Sequence, residues 1–443
     1  MGQSVFESKS IPRAYFSLAV PVVCSLVISI VYNITDTYFI ALTKDLDLVA
    51  GVSLCAPVFT LLMGFGNIFG QGGSSLLSRL LGQNDPENLR RVSSFCFYAA
   101  ILFGLAAGVL MALFRVPILW LLGADDATIR YAMPYFTWLA AGAPVITLSF
   151  IHTNLLRAEG MSKESMIGTV GGSVVNMVLD PVLIFGLHMG AAGAAAATVL
   201  GYLFTDLYCL FVVRQKSRVL SLELQSAKIP GQFAAQIFAV GISAALSNIT
   251  QSFCMILTNQ CLLAYGNDKI AAMGIVQKVS MIIMLVIVGF SFGGAPLIGY
   301  IYGSGDQARL KKLMRFVLQF LCTTALALSA VMIAAAPAAI GIFLDDKTLI
   351  QTGVLMLRTQ MMGMVFAAVV LFITIYFQAT GRAMPALALA LSRQGVVFAA
   401  VLFVAVWAAG YYGVLLTQFV SDALSAALAL ALYAKCAGKR PAA

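Results

Sequence analysis

Residues 71–91, QGGSSLLSRLLGQNDPENLRR, have a counterpart in residues 292–312, FGGAPLIGYIYGSGDQARLKK. The two stretches align without a gap when residue numbers differ by 221, so that Gly82 matches Gly303. This agreement indicates that the chain arose by duplication. In a membrane protein, repeated halves are typical of transporters whose two lobes rock about a central site.

The composition indicates an integral membrane protein, since 61% of the residues are hydrophobic, 10% are charged and the mean hydropathy is +0.95. A chain of this kind cannot cover a soluble surface with polar groups. Apolar runs of about 20 or more residues indicate spanning helices. They predict twelve spans, six in each repeat, at residues 13–41, 49–78, 92–115, 131–156, 165–188, 191–213, 231–263, 270–301, 314–341, 350–378, 384–408 and 411–434. The first run is too long for the apolar part of a cleaved signal peptide, so we expect it to be retained.

The distribution of basic residues predicts the orientation in the membrane. One set of alternate loops, together with both chain ends, holds 19 of the 27 Lys and Arg residues. Because loops rich in Lys and Arg stay in the cytoplasm, both termini are predicted to be cytoplasmic, in a multi-pass protein of the plasma (inner) membrane. The net charge of +9 then reflects topology and contact with anionic lipids rather than nucleic-acid binding.

One long polar connection divides the chain. It predicts an amino-terminal lobe at 1–214, a cytoplasmic linker at 215–230 and a carboxy-terminal lobe at 231–443. The predicted fold class is therefore an all-α integral membrane protein with twelve transmembrane helices in two pseudo-symmetric lobes of six.

Four polar residues of the first lobe are predicted to lie together in the outer half of the membrane: Asp36, Asn176, Asp180 and Thr198. Carboxylates inside a membrane are costly and are functional by default. Two close carboxylates cannot both ionise cheaply, so one would hold a proton near neutral pH, whereas the same oxygens also suit Na⁺. Pro181 can kink the helix beside the acid. The alternative interpretation is that the acids only pair with polar neighbours to hold helices together.

Other charges within predicted spans have less certain roles. Asp206 lies toward the cytoplasmic end of its span, where we expect a structural role. Asp422 is equally compatible with a structural and a functional role. Lys278 could repel a cation, pair with a carboxylate or anchor the fold, and the role of Arg393 is open.

The second lobe is rich in methionine, whose flexible apolar side chain can repack around ligands of different shape. Ordinary packing would explain most of these residues as well. The candidate residues of a substrate cavity are Met255, Asn259, Lys278 and Met281.

The duplicated halves are predicted to differ in their acids. Under the 221-residue offset, Asp36 corresponds to Leu257 and Asp180 to Val401. We therefore expect the first lobe to bind the cation and the second to help form the cargo cavity.

Nothing in the sequence favours catalysis. The only histidines are His152 and His188, and neither H-E-x-x-H nor G-x-S-x-G occurs. We expect no enzymatic activity and no cofactor.

Four motifs carry a resemblance to a known family: NITDTYFI at 33–40, LRAEG at 156–160, NMVLDP at 176–181 and QATG at 378–381. With them the chain resembles the multidrug and toxic compound extrusion (MATE) family, within a larger group that includes lipid-linked oligosaccharide flippases. The resemblance covers nearly the whole chain. It implies two lobes of six helices that form a V around a central cavity, and cation-driven export of drugs.

Within that family the chain looks like the DinF-type branch. In that branch the cation site of the first lobe uses residues that match Asp36, Asn176, Asp180 and Thr198, all present here. Another branch has further carboxylates on the seventh and tenth helices, where this chain offers amides such as Asn259.

The resemblance implies an antiporter that exports amphipathic, often cationic compounds in exchange for H⁺ or Na⁺ by alternating access. Its partners would be such small molecules and membrane lipids, and it would function as a monomer. The alternative is a flippase or exporter of a lipid-linked or secondary-metabolite cargo, which shares the fold group.

Overall fold

The computed structural model describes residues 5–217, 219–343 and 346–436. These residues form a bundle of α-helices, interrupted by a π-helix at Val182–Gly186 and a 3₁₀ helix at Leu224–Ala227. In chain order the helices are α1 Ile11–Leu42, α2 Leu46–Leu54, α3 Ala56–Gln83, α4 Pro86–Leu113, α5 Arg115–Leu121, α6 Ile129–Ala158, α7 Ser162–Pro181, α8 Ala191–Lys216, α9 Gly231–Leu263, α10 Asn267–Ser304, α11 Gln307–Gly341, α12 Lys347–Met362, α13 Met364–Ala379, α14 Ala383–Arg393, α15 Val396–Ala409 and α16 Tyr411–Cys436.

The twelve predicted spans are confirmed. Within the described ranges, eleven helical stretches are long and apolar enough to cross a membrane, and the bent pair α12–α13 makes a twelfth. The sequence did not predict the interruptions. The second span divides at Cys55, the tenth bends by 44° at Gly363, and the eleventh breaks at residues 394–395.

The repeated motif forms the same turn in both halves. Asn84 and Gly305, which end α3 and α10, both have left-handed backbone angles, with φ of 60° and 80°. The next residues, Asp85 and Asp306, accept a hydrogen bond from a backbone N–H in the first turn of α4 and α11. A left-handed residue ends a helix and an aspartate caps the following one, so this pattern fixes a tight helical hairpin twice.

The two lobes contact each other on the side where α1 begins and α16 ends, here named the terminal side. There Gly82 packs against the carbonyl of Tyr300, and Gly303 packs against the carbonyl of Arg79. A Cβ on either glycine would lie 2.1 Å from the opposing oxygen. Each pair becomes the other when both residue numbers change by 221, so the contact has pseudo-twofold symmetry. Small residues of this kind let two membrane helices approach closely.

A second pair of contacts shows which residue of α1 is equivalent to which residue of α9. Gly72 of α3 packs on Ile237 of α9, and its counterpart Gly293 of α10 packs on Ala19 of α1. Ile237 and Ala19 differ by 218 in residue number rather than 221. The second half therefore has three more residues between its first two spans.

This register corrects one expectation. Asp36 corresponds to Cys254, not to Leu257, because the offset between α1 and α9 is 218. Cys254 is buried and uncharged at neutral pH. The conclusion that the acid of the first span was not duplicated is unchanged.

Aromatic side chains complete the contact on the terminal side. The Tyr15 hydroxyl donates to the carbonyl of Phe290 at 2.8 Å, from the first lobe to the second. Phe6 is fully buried and stacks on Tyr300, with ring centroids 4.8 Å apart. Arg309 donates to the carbonyl of Phe6 at 2.6 Å. The segment before α1 is thereby bound to the second lobe.

On the opposite side, here named the distal side, the first span of each lobe (α1 and α9) exposes apolar side chains. Ile34 and Tyr38 of α1 are 64% and 59% exposed, and Ile256 of α9 is 58% exposed. Because the lobes are joined on the terminal side, the V opens toward the distal side.

Candidate cation site

The site begins with a buried stripe on α7, formed by Ser165, Gly168, Gly172, Asn176 and Asp180. These residues recur every three or four positions, so they lie on one face of the helix. The glycines let α7 pack closely on α8: a Cβ on Gly172 would lie 2.1 Å from the Thr205 hydroxyl oxygen. This contact brings the polar end of the stripe against α8.

The structure brings the four predicted residues together. Asn176 and Thr198 are 2% and 4% exposed, and the Asn176 Nδ2 lies 3.4 Å from the Thr198 Oγ1. Asp180 is fully buried one turn beyond Asn176. Asp36 reaches the site from α1, which packs on α7, and its carboxylate interacts electrostatically with that of Asp180.

Oxygen atoms without partners define the chemistry of the site. Within the described residues, both carboxylate oxygens of Asp180, Oδ1 of Asp36 and Oδ1 of Asn176 are buried and accept no hydrogen bond. The amide nitrogen of Asn176 donates to the Thr198 hydroxyl, so the amide oxygen remains available to accept a bond or to ligate a cation. A buried carboxylate without a donor is very costly, so this arrangement suits a bound cation. A proton on a carboxylate and a Na⁺ ion among the oxygens both fit these donor atoms.

Two phenols near the acids, and a third beside them, were not predicted. Tyr32 lies within reach of the Thr198 hydroxyl and close to Asp36, while Tyr135 is close to both acids. Tyr202 is adjacent to Tyr32. Tyr32 precedes Asp36 by four residues, and Tyr202 follows Thr198 by four, so helical spacing was an available signal for both.

The helix changes its geometry directly after the acid. α7 ends at Pro181, and residues Val182–Gly186 continue as a π-helix. The sequence predicted that Pro181 can kink the helix here. The structure shows a change in hydrogen-bond register after it, in which Leu187 donates to the carbonyl of Val182 at 2.9 Å. Single-turn π-helices often occur at functional sites.

The candidate residues of the second lobe are mostly exposed. Met255 and Met281 are 47% and 58% exposed, Lys278 is exposed, and Asn259 is partly buried. A cavity of about 40 Å³ lies beside them in the second lobe. It is lined by other residues: Thr258, Met273, Gln277, Met356, Thr359, Gln360, Phe398, Val414, Leu415 and Gln418. Such a volume holds only water-sized groups.

Asp422 and Arg393 form an ion pair, with Arg393 Nε 2.9 Å from Asp422 Oδ1. The second carboxylate oxygen of Asp422 accepts from Gln418 at 3.0 Å. Both oxygens are satisfied within the second lobe, so this acid differs from Asp180 and supports a structural role.

A twelve-span bundle of two like lobes, with a buried acid site in one of them, has the architecture of a secondary transporter. Comparison with known proteins assigns it more closely. The MatE family model matches the chain twice, at residues 21–182 and 243–404, one match in each half. The chain belongs to the MatE family.

Similar proteins agree with this assignment. The chain is 31% identical over 426 residues to the multidrug export protein MepA of Staphylococcus saprophyticus, covering 96% of this chain and 94% of the relative. It is 30% identical over 425 residues to MepA of Staphylococcus aureus, with the same coverage. The fold matches the outward-facing conformation of a multidrug resistance MATE family transporter with a TM-score of 0.91 and 22% identity, over 100% of this chain and 99% of the other.

Family membership confirms the predicted V of two lobes and the prediction of transport rather than catalysis. Transporters of this family need no cofactor. Assignment to the DinF-type branch stays a prediction.

Proposed function

We propose that this protein is a multidrug efflux antiporter that exports amphipathic, often cationic compounds in exchange for H⁺ or Na⁺. The ion-coupling part rests on the fully buried Asp180, which lies next to the Asn176–Thr198 pair and whose two carboxylate oxygens have no hydrogen-bond partner among the described residues. The export part is supported by relatives at 30–31% identity that are named multidrug export proteins.

The proposed cycle is alternating access between the two lobes. A cation enters from the distal side, binds at Asp36 and Asp180 and neutralises the site, which favours the conformation that releases the drug. For exchange to occur, the cation and the drug must favour different states, since each ligand can shift the equilibrium only by its differential affinity.

The lobes are joined on the terminal side and open on the distal side, so the orientation of the protein in the membrane decides which side the cavity faces. In the proposed orientation the terminal side faces the cytoplasm, with both chain ends, and the protein lies in the plasma (inner) membrane. The moving units are the amino-terminal lobe at 1–214 and the carboxy-terminal lobe at 231–443, joined by the linker at 215–230. The protein contacts membrane lipids and functions as a monomer.

The drug occupies the space between the lobes. The exposed side chains of Met255, Lys278 and Met281, with Asn259 beside them, are proposed to line its second-lobe wall. Methionine can repack around ligands of different shape, which suits a broad range of compounds.

Efflux of a fluorescent cationic dye from vesicles, under separately imposed proton and sodium gradients, tests the proposal. One gradient should drive efflux, and that gradient identifies the ion. Replacing Asp180→Asn or Asp36→Asn should abolish gradient-driven efflux while the protein remains in the membrane. The matched control is Asp126→Asn, which removes an exposed carboxylate from a loop.

Undiminished efflux by both site variants would exclude the cation site. Absence of dye efflux under either gradient, with folded protein in the vesicles, would contradict drug export and favour a lipid-linked or metabolite cargo.

A further inference from the structure

Another buried acid of the first lobe lies away from the cation site. Asp206 of α8 and His152 of α6 are each 3% exposed at the side chain, and Oδ1 of Asp206 lies 3.3 Å from Nδ1 of His152. The remaining polar atoms, Asp206 Oδ2 and His152 Nε2, are buried without partners in the described part of the chain. The His152 ring also contacts Phe97, with centroids 5.5 Å apart.

Among the described residues, no further ionisable group compensates this pair. The partner that acts electrostatically on Asp206 there is His152. The basic residue Arg157, farther along α6, donates instead to the Ser165 hydroxyl at 3.1 Å. The neutral thiol of Cys209 on α8 is close to Asp206.

Within the described residues, three other helices packed on α6 or α8, namely α3, α7 and α4, contribute no compensating charge either. α3 carries one ionisable residue, Arg79, which bonds the carbonyl of Ser75 on the same helix. On α7, Glu164 lies 3.5 Å from Lys216 at the terminal end. On α4, Phe97 is flanked by Cys96 and Tyr98. Their thiol and phenol are uncharged in neutral solution.

The charge of the pair therefore depends on one proton. With one proton on the imidazole or on the carboxylate, the two groups together are neutral. Loss of that proton leaves a net negative charge in a buried site, and gain of a second leaves a net positive charge. Both charged forms are costly in the interior of a lobe, so the pair has a defined site for a single proton.

Polar positions connect this pair with the cation site. Thr198 and Asp206 are eight residues apart on α8, or about 12 Å along the axis. Between them Thr205 faces α7, where its hydroxyl donates to the carbonyl of Gly168 at 3.1 Å. The cation site lies toward the distal end of α8, and the His152–Asp206 pair lies nearer the terminal end.

We infer that His152 and Asp206 form a second proton-binding site of the first lobe, which exchanges its proton on the terminal side during transport. The site itself stands on its own geometry, whereas its part in transport rests on the proposed antiport. A proton binds to the carboxylate or imidazole from the distal direction, and the same proton leaves toward the terminal side.

The chain offers a direct spectroscopic test because it has only two histidines. His188 is exposed and has a φ of 53°, a backbone conformation that asparagine tolerates, so His188→Asn leaves His152 as the only imidazole. In this background, ¹⁵N NMR of labelled histidine in lipid nanodiscs, recorded between about pH 5 and 9, reports whether the pair binds and releases its proton, and we expect the His152 signal to change over this range. Asp206→Asn removes the carboxylate that faces the ring and should change the pH dependence of that signal.

Efflux provides the second readout. Asp206→Asn and His152→Gln should each alter the pH profile of dye efflux, and the double variant should match either single one. The control His188→Asn should leave the profile unchanged. If Asp206→Asn does not fold, the titration of His152 in the control background still decides whether the pair binds a proton.

A His152 signal that is constant over this pH range would overturn the inference, as would efflux profiles that coincide in all folded variants. Failure of the proposed function is distinct from both results. It would appear as no efflux by the control protein, while the NMR titration still reports on the proton site.

Discussion

Arg393 and Asp422 form an ion pair, 2.9 Å from Nε to Oδ1, at the level where two spans of the second lobe are interrupted. Arg393 is the last residue of α14, directly before the break in the eleventh span. The Asp422 carboxylate lies beside Gly363, where the tenth span bends, since a Cβ on Gly363 would be 3.5 Å from Asp422 Oδ2. The pair thus links three spans where backbone hydrogen bonding is irregular.

Removing one member of this pair should destabilise the second lobe. We expect Asp422→Asn to cost up to about 3–5 kcal/mol, because the largely buried guanidinium is left without a counter-charge. The apolar double variant Arg393→Met/Asp422→Leu should lose less than the sum of the single changes. Thermal unfolding in detergent would measure this, and additive losses would show that the two side chains do not interact.

The contact between the lobes predicts a conformational effect of one methyl group. In Gly82→Ala the new Cβ would meet the carbonyl of Tyr300, so the lobes should separate on the terminal side. Gly274→Ala is the control, because a Cβ there meets nothing within 4 Å. Distances between spin labels on the two lobes should shift in the first variant only. Identical distance distributions in both variants would contradict a tight contact at Gly82.

The hydroxyl of Thr198 should matter for cation affinity. Thr198→Val leaves the Asn176 amide nitrogen without this partner, which costs about 1–3 kcal/mol for a buried donor. We expect the half-saturating concentration of the coupling ion to rise by about tenfold or more, since 1.4 kcal/mol corresponds to a factor of ten. Thr137→Val, at an exposed position of α6, should have no such effect. Equal affinities in the two variants would exclude Thr198 from the site.

Lowering the pH should destabilise the first turn of α2, because protonation of Asp45 weakens its cap on that helix. The Tyr131 hydroxyl and the backbone N–H groups of Leu48 and Asp47 donate to this carboxylate and lower its pKa below the ordinary 3.8. A lowered pKa means that the cap contributes fully above the ordinary value and is lost as the pH falls through the folded value.

Hydrogen exchange at the amides of Asp47 and Leu48, corrected for intrinsic rates, would measure this effect. Protection should fall as the pH is lowered below about 4. Asp45→Asn keeps a capping oxygen that does not titrate in this range, so protection should then be independent of pH. Unchanged protection of the parent protein in acid would contradict the role of the charge.

The sequence predicted the spans, and the grouping of the four polar residues of the candidate cation site, for physical reasons that act locally. Apolar runs of membrane length are visible in any chain, and the depth of an acid follows from its position within a run. Asp36, Asn176 and Asp180 could be placed at one level in this way. The i, i+4 spacing then put Asn176 and Asp180 on one face.

Interactions between distant segments could not be predicted in the same way. Tyr135 approaches the acids from α6, and nothing in its own span indicates that contact. The three-residue shift that makes Cys254 the counterpart of Asp36 became visible only when the packing of Gly72 on Ile237 was compared with that of Gly293 on Ala19. The bend at Gly363 also depends on neighbouring spans, since glycine alone is tolerated in many membrane helices.

The binding of Phe6 to the second lobe has an energetic consequence for the whole cycle. Phe6 precedes α1 of the first lobe, yet it stacks on Tyr300 and is bonded by Arg309. Parting the lobes on the terminal side requires this segment to detach, so its docking free energy adds to the equilibrium between the two access states. Each 1.4 kcal/mol of docking changes their ratio about tenfold. Docking of the segment at Phe6–Ser8 therefore contributes to the free-energy difference between the two access states, and a fluorophore attached beside Ser8 would report each opening.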